Sequence, residues 1–335
     1  MITSCARYGV IIPRSRNLYL SSSLTRAHLL ISHHQSNFFY RYHSKMSAKL
    51  FTLNDGAQVP WLGFGTGTAL YGKDALAFVH AAIDAGVVHL DGAQIYRNED
   101  TLGAGIKASG KPRSELFITT KLSPNLPAGV SVRDSLVDSL AKLGIDFVDL
   151  FLIHSPVPAA NEGRLADLWR QMEEVKREGL AKSIGVSNFR VQDLKLILET
   201  GTIVPAANQI ELHPHVWKAA EPIVKFSQDN GIAIQSYGGL TPIVRVQNGP
   251  LDPVLEEIRQ RLETTRGAPV SAGQVLTKWL LHKNAIVVTT TSKVHRIKEF
   301  QDVENVPDLT AEEIEAIEEA GGKLHKRQYM GHVFE

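Results

Sequence analysis

Three short apolar runs of this chain end in residues able to do joint proton and charge chemistry. His89-Leu90-Asp91-Gly92-Ala93-Gln94-Ile95-Tyr96 closes the first, Thr119-Thr120-Lys121 the second and Phe151-Leu152-Ile153-His154 the third. A phenol is a poor acid near neutrality, its free pKa being ~10. A lysine cation beside it favours the phenolate and lowers that value. A carboxylate paired with the lysine holds the ammonium in place and charged. A histidine on the next strand can hydrogen-bond a carbonyl oxygen and orient it. Tyr96, Lys121, Asp91 and His154 fill these roles in turn. The chemistry they suit is proton donation to an oxygen that gains charge, as when a hydride reaches a carbonyl carbon. Taken singly, each has a plainer reading, since a strand-end aspartate often caps a helix and a lone barrel lysine is often a Schiff-base nucleophile. The weight lies in their joint placement at consecutive strand ends.

Such convergence needs a scaffold that brings strand ends to one rim. From Phe51 onward, apolar β-type runs alternate with amphipathic helical runs, the pattern of a parallel sheet wrapped by helices. Phe51-Thr52-Leu53 and Gln58-Val59-Pro60 flank an Asn54-Asp55-Gly56 turn, a hairpin signal. Inner strands are expected over Leu62–Gly65, Val87–Asp91, Leu116–Leu122, Val148–His154, Ser183–Ser187, Ala207–Leu212, Ile232–Ser236 and Ala285–Thr289. Helices are expected over Ala75–Ala85, Val132–Leu143, Leu165–Glu178 and Leu251–Arg261, with capping signals at Ser131/Asp134 and Thr310/Glu313. The Thr310 signal starts a late acidic helix through Ala320; residues Gly321–Glu335 show no periodicity and read as a loop. The expected fold is therefore α/β: a single (β/α)8 TIM barrel with an N-terminal β-hairpin and a C-terminal loop over the mouth, its active site at the strand C-terminal ends.

The N-terminal stretch obeys different rules. Residues 1–54 hold no Asp or Glu, yet carry Arg7, Arg14, Arg16, Arg26 and Arg41 and the serine run Ser21-Ser22-Ser23. That is the composition of a mitochondrial transit peptide, and its apolar pieces are too short to span a bilayer. Residues 1–46 are accordingly set apart as a leader, either a transit peptide or a gene-model extension upstream of a true start at Met46, and residues 47–335 as the barrel. The expected location is cytoplasmic or mitochondrial. A formal net charge of +1 gives no reason to expect nucleic acid or a membrane as partner. Cys5 is the sole cysteine, so the body can hold no cysteine nucleophile, iron–sulfur cluster or zinc–cysteine site. His213 and His215 invite a metal reading, but their context points to a packed strand end, and no metal is expected.

At this point the chain resembles a known family. Asp91-Gly92-Ala93-Gln94-Ile95-Tyr96 is similar to the D-x-A-x-x-Y segment of aldo-keto reductases, and Ile118–Lys121 and Leu152–His154 to that family's lysine and histidine strands. Gly179-Leu180-Ala181-Lys182-Ser183-Ile184-Gly185-Val186-Ser187-Asn188-Phe189 and Asn208-Gln209-Ile210-Glu211-Leu212-His213-Pro214 resemble two further signatures. The resemblance runs in order from Phe51 to the C-terminus, and the changes at Thr290, Thr291, Lys293 and Phe300 resemble a fungal subgroup acting on keto amides and aldehydes. It implies reduction of aldehydes or α-keto carbonyl compounds with NADPH, Tyr96 donating the proton. It implies that Ser187, Asn188 and Gln209 bond the nicotinamide carboxamide, that Tyr237 stacks under the ring, and that Gly65 and Thr66 border the cofactor. For Ser187 and Asn188 the alternative is a helix N-cap; for Tyr237 it is an ordinary half-buried tyrosine. Arg296 corresponds to the arginine that grips the adenosine 2′-phosphate, with Ser292 and Lys293 beside it; a monomer is expected.

The chain also departs from the family. Thr290 and Thr291 stand where Lys and Ser are usual, and Lys293 is the expected replacement cation; Phe300 replaces an adenine-reading Asn. Gly67 and Ser155 stand where tryptophans are common, and Gly238-Gly239 where Ser-Pro is frequent. The missing indoles imply a roomier mouth, refilled by Tyr71, Trp217 or the Tyr329–Phe334 tail, or else left with those aromatics in plain packing roles. Two other readings stand beside the reductase. One is a cofactor-binding regulatory subunit of the same fold with little turnover, like the potassium-channel β subunits. The other is a barrel hydrolase using paired carboxylates, which would need a partner for Asp91, with Glu211 as the remaining acid.

Overall fold

The computed structural model describes residues 49–127 and 129–334. The expected leader, residues 1–46, lies outside the described residues. The hairpin forms as expected: β1 (Leu50–Thr52) pairs antiparallel with β2 (Gln58–Pro60), and Gly56 takes the left-handed conformation at the turn with φ of +87°. Its Phe51 and Val59 face the core. Asn54 Nδ2 donates to the carbonyl of Pro205, just before a barrel strand begins, so the hairpin sits at the N-terminal ends of the strands.

Eight parallel strands then close a barrel: β3 (Leu62–Gly65), β4 (His89–Asp91), β5 (Phe117–Leu122), β6 (Val148–Ile153), β7 (Ala181–Ser187), β8 (Ala207–Glu211), β9 (Ala233–Tyr237) and β10 (Ala285–Thr289), with β10 pairing back to β3. Nearly every strand residue is buried, because helices cover the outer face while side chains fill the inside. Strand boundaries shift by one or two residues from the sequence reading: β4 starts at His89 and β9 runs on to Tyr237. Register fixes the mouth. Asp91 lies level with Gly65 and Thr119, Lys121 with Leu152, Ser187 with Gln209, and Glu211 with Tyr237.

The helix Val132–Leu143 illustrates the outer layer. Its Val132, Leu136, Leu140 and Leu143 recur at three- and four-residue spacing and are all buried. Each fully buried leucine contributes about 1.5–3 kcal/mol over leaving it exposed. Ser131 caps it by accepting from Asp134 N–H at 3.0 Å, and Gly144 ends it at φ +67°. Thr310 and Glu313 form the expected reciprocal capping box, starting a helix over Ala311–Gly322. The tail is not wholly loop: Gly331–Phe334 makes one helical turn, with Val333 buried. The expectation failed there because four residues are too few to show a helical period.

Candidate active site

Lys121 lies fully buried in the barrel, and all three of its ammonium protons are used. Nζ donates to Asp91 Oδ1 at 2.5 Å, to the Gly92 carbonyl at 2.9 Å and toward Tyr96 Oη at 3.4 Å. Burial pulls the lysine pKa down, while Asp91 acts in the opposite sense. The other carboxylate oxygen, Asp91 Oδ2, accepts from Gln209 Nε2 at 2.8 Å, and that amide group also donates to Gln235 Oε1. The His154 ring stands edge-on to Tyr96, centroids 5.5 Å apart.

Two protonation states follow. Burial, with Lys121 nearby, drives the His154 pKa well below the ordinary histidine value, so the ring is neutral. Its Nδ1 is buried without a partner among the described residues. A buried bare lone pair is more readily tolerated than an orphaned N–H, which assigns the proton to Nε2. Tyr96 behaves differently from the sequence argument. Its pKa is raised well above 10, first by burial and then by the Asp91 charge. The pairwise expectation that Lys121 would lower it omitted two things: the phenol is removed from water, and Asp91 offsets the lysine's field. Tyr96 is held as a protonated phenol, the form a proton donor needs.

Gly67 explains one missing tryptophan. A Cβ there would stand 3.0 Å from Tyr96 Cζ and 3.3 Å from its hydroxyl, so any side chain presses on the phenol. The loop carrying Tyr96 is braced from behind by Gln94, whose Oε1 accepts from Ser123 N–H at 2.7 Å and whose Nε2 donates to Ser135 and Ser139 Oγ. Asn98 Nδ2 ties the same loop to the carbonyls of Thr66 and Leu70. Neither strut was singled out from sequence; Gln94 lay inside a motif that was read only for its aspartate and tyrosine.

A cavity of about 630 Å³ opens at the strand C-terminal ends. Of the residues expected to do chemistry or bind the cofactor, Asp91, Tyr96, His154, Gly65, Asn188, Gln209, Tyr237 and Arg296 line it, as do Thr290 and Phe300. Lys121 lies directly behind Asp91. Thr66 and Ser187 are buried off the lining, Thr66 Oγ1 donating to the Asp91 carbonyl and Ser187 Oγ to the Gln209 carbonyl. Ser187 and Asn188 are not helix caps, since the next helix, Val191–Thr200, is capped at Arg190. Tyr237 Oη donates to Asn188 Oδ1 at 2.6 Å. Ser292 and Lys293 lie outside the lining and exposed, whereas Arg245, which sequence reading passed over, lines it. Arg245 and Arg296 have no hydrogen-bond or ion-pair partner for their guanidinium groups among the described residues. Tyr71, Tyr329 and Met330 also face the cavity; Trp217 instead packs against Trp279 at 5.6 Å in the core. His213 Nε2 bonds Glu211 and His215 Nδ1 bonds the Gly321 carbonyl, the packed arrangement expected of that strand end.

Comparison with known proteins agrees with this geometry. Residues 61–321 match the model of the aldo/keto reductase family. An NAD/NADP-dependent indole-3-acetaldehyde reductase of Schizosaccharomyces pombe is 38% identical over 84% of this chain and 98% of its own length. An NADPH-dependent alpha-keto amide reductase of Saccharomyces cerevisiae is 34% identical over 82% of this chain and 91% of its own. The crystal structure of a Bombyx mori aldo-keto reductase in complex with NADP superposes with a TM-score of 0.71 at 32% identity, covering 81% of this chain and 92% of that one. With eight parallel strands closed into a barrel and Asp91, Tyr96, Lys121 and His154 gathered at one mouth, the chain belongs to the aldo/keto reductase family.

Proposed function

We infer that this chain is an NADPH-dependent carbonyl reductase in which Tyr96 gives the proton. The observation that carries the reading is a neutral, protonated Tyr96 phenol facing the cavity with Lys121 Nζ 3.4 Å behind it. The residues fit the cofactor. Thr290 Oγ1 is buried in the cavity wall and unpartnered among the described residues, and the exposed Arg245 and Arg296, whose guanidinium groups have no partner there either, line the same cavity. Those three groups suit phosphate oxygens, which accept charge-assisted hydrogen bonds. Gln209 Oε1, which has no donor among the described residues, suits an amide N–H, and the Tyr237 ring suits stacking. When bound, nicotinamide supplies the hydride.

The side chains do the rest. His154 Nε2–H donates to the carbonyl oxygen and polarises it. Tyr96 Oη delivers its proton to that oxygen as charge grows there. The Lys121 ammonium then stabilises the phenolate left behind, and Asp91 keeps Lys121 charged inside the barrel. Around Tyr96 and His154 the lining includes Tyr71, Ile95, Tyr329 and Met330, and the only Arg or Lys among the described lining residues are Arg245 and Arg296, assigned above to phosphate. With both arginines engaged by phosphate, a substrate carboxylate beside those residues would lose its hydration without a partner. Neutral aldehydes and α-keto amides or esters bearing aryl or long apolar groups are therefore the substrates. NADPH consumption over a panel of such compounds and the matching α-keto acids tests this. Faster turnover of the acids would contradict it.

Residues 1–46 carry a second proposal, resting on composition: they act as a mitochondrial address. A fluorescent reporter fused to them should enter mitochondria, and a reporter left in the cytosol overturns the idea.

A further inference from the structure

One buried carboxylate at the mouth has no part in the mechanism above. Glu211 ends β8 level with Tyr237, and its side chain is fully buried. A buried carboxylate needs donors, and most of these come from outside the barrel. Gln328 N–H donates to Oε1 and Tyr329 N–H to Oε2, each at 2.8 Å. His213 Nε2 donates to Oε1 at 3.0 Å. Arg327, its side chain only 3% exposed, brings Nη1 to 3.9 Å from Oε2 while its guanidinium covers Phe334 at 4.1 Å. Upstream, Lys326 N–H donates to the His215 carbonyl at 3.2 Å. The segment so held presents Tyr329 and Met330 to the cavity, with the Tyr329 ring 5.8 Å from that of Tyr237.

We propose that Glu211 is a positioning residue that latches the C-terminal tail to the barrel rim and thereby sets the Tyr329–Met330 wall, the surface that receives the non-reacting part of the substrate. The proposal rests on the reductase reading of this cavity. The latch is a fork: two consecutive backbone amides meet the two oxygens of one carboxylate, which no neutral side chain can reproduce. Glutamine at 211 keeps the shape but replaces one acceptor by an NH2 group, opposing donor to donor. Gly238, just past β9, takes the left-handed conformation at this junction with φ of +68°, and a Cβ there would only touch Glu211 Cγ at 3.4 Å and Tyr329 Cε2 at 3.5 Å.

Glu211→Gln in the full chain should speed trypsin cleavage after Lys326 and Arg327. It should raise KM for a bulky aryl carbonyl about tenfold, the loss of one charge-assisted hydrogen bond, with kcat changed less. NADPH affinity, read by fluorescence quenching, should stay within about twofold, because the residues fitted to the cofactor are not latched by Glu211. Tyr329→Ala should raise the same KM in the wild-type background and add little to Glu211→Gln, the non-additivity expected if Glu211 acts through the tail. Gln328→Pro removes one N–H of the fork at an exposed position and tests the latch should Glu211→Gln fail to fold, read by cleavage after Lys326 alone because an Arg–Pro bond resists trypsin. Tryptic rates equal to wild type in a folded variant, or fully additive KM effects, overturn the proposal. Absence of carbonyl reduction by the wild type would count against the reductase reading instead, since the tryptic comparison needs no substrate.

Discussion

Asp91→Asn should destabilise the apo protein by about 3–5 kcal/mol at neutral pH, the range for breaking a buried ion pair by removing one partner. The structure supports the upper part of that range. Lys121 is 0% exposed, so no water can replace the lost carboxylate. Both oxygens of Asp91 are engaged, one by Lys121 Nζ and one by Gln209 Nε2, so asparagine must oppose its own NH2 to one of these donors. The deficit should also depend on pH. Burial already depresses the Lys121 pKa, and the largest opposing influence is Asp91. Without it, the folded lysine binds fewer protons than the unfolded one over a wider window. Unfolding free energy then rises with pH up to the ordinary lysine value of ~10.4, and the deficit shrinks across that window. Urea unfolding of wild type and variant at neutral and alkaline pH, with unchanged m-values, reads this directly. A deficit below ~1 kcal/mol, or one that does not change with pH, would refute the claim that Asp91 keeps a buried ammonium charged.

Three further outcomes are expected. Gly67→Ala should displace the Tyr96 ring by a few tenths of an ångström and lower kcat up to about tenfold, given that ~1 Å misplacements cost ~10²-fold; steady-state kinetics with NADPH binding as control checks it. Arg296→Ala and Arg245→Ala should each weaken NADPH binding by fluorescence titration. If Arg296 pairs with the 2′-phosphate, its loss spares NADH, so equal losses for both cofactors would make it a general phosphate contact. With His154 held neutral and Tyr96 protonated, neither group should add a titration step to kcat between pH ~6.5 and ~10, which a pH–rate profile tests.

The barrel was legible because its strands, buried on both faces, read as apolar runs of four to seven residues with chemistry-bearing residues at their ends. Asp91, Lys121 and His154 could be found that way, since each closes such a run. The phosphate end was less legible. Lys293 is the nearest cation in sequence to the missing one, yet it sits exposed at the first position before the helix Val294–Gln301, outside the cavity lining. Arg245 reaches the lining from the end of a four-residue helix with no period to mark its direction. Trp217 was an open choice between mouth and core because an aromatic at a helix start suits either, and only packing against Trp279 decides it. The tyrosine pKa was misjudged because a sequence shows neighbours but not burial.

The central claim is that Tyr96 is the proton donor of a carbonyl reductase. Tyr96→Phe removes one oxygen, leaves the Asp91–Lys121 pair and the amide contacts of Gln209 in place, and should keep NADPH affinity near that of wild type. General acid catalysis typically contributes ~10²–10⁴-fold, so single-turnover reduction of an aryl aldehyde by the NADPH-loaded variant should fall by at least ~10²-fold. Reduction at the wild-type rate by Tyr96→Phe would contradict the account.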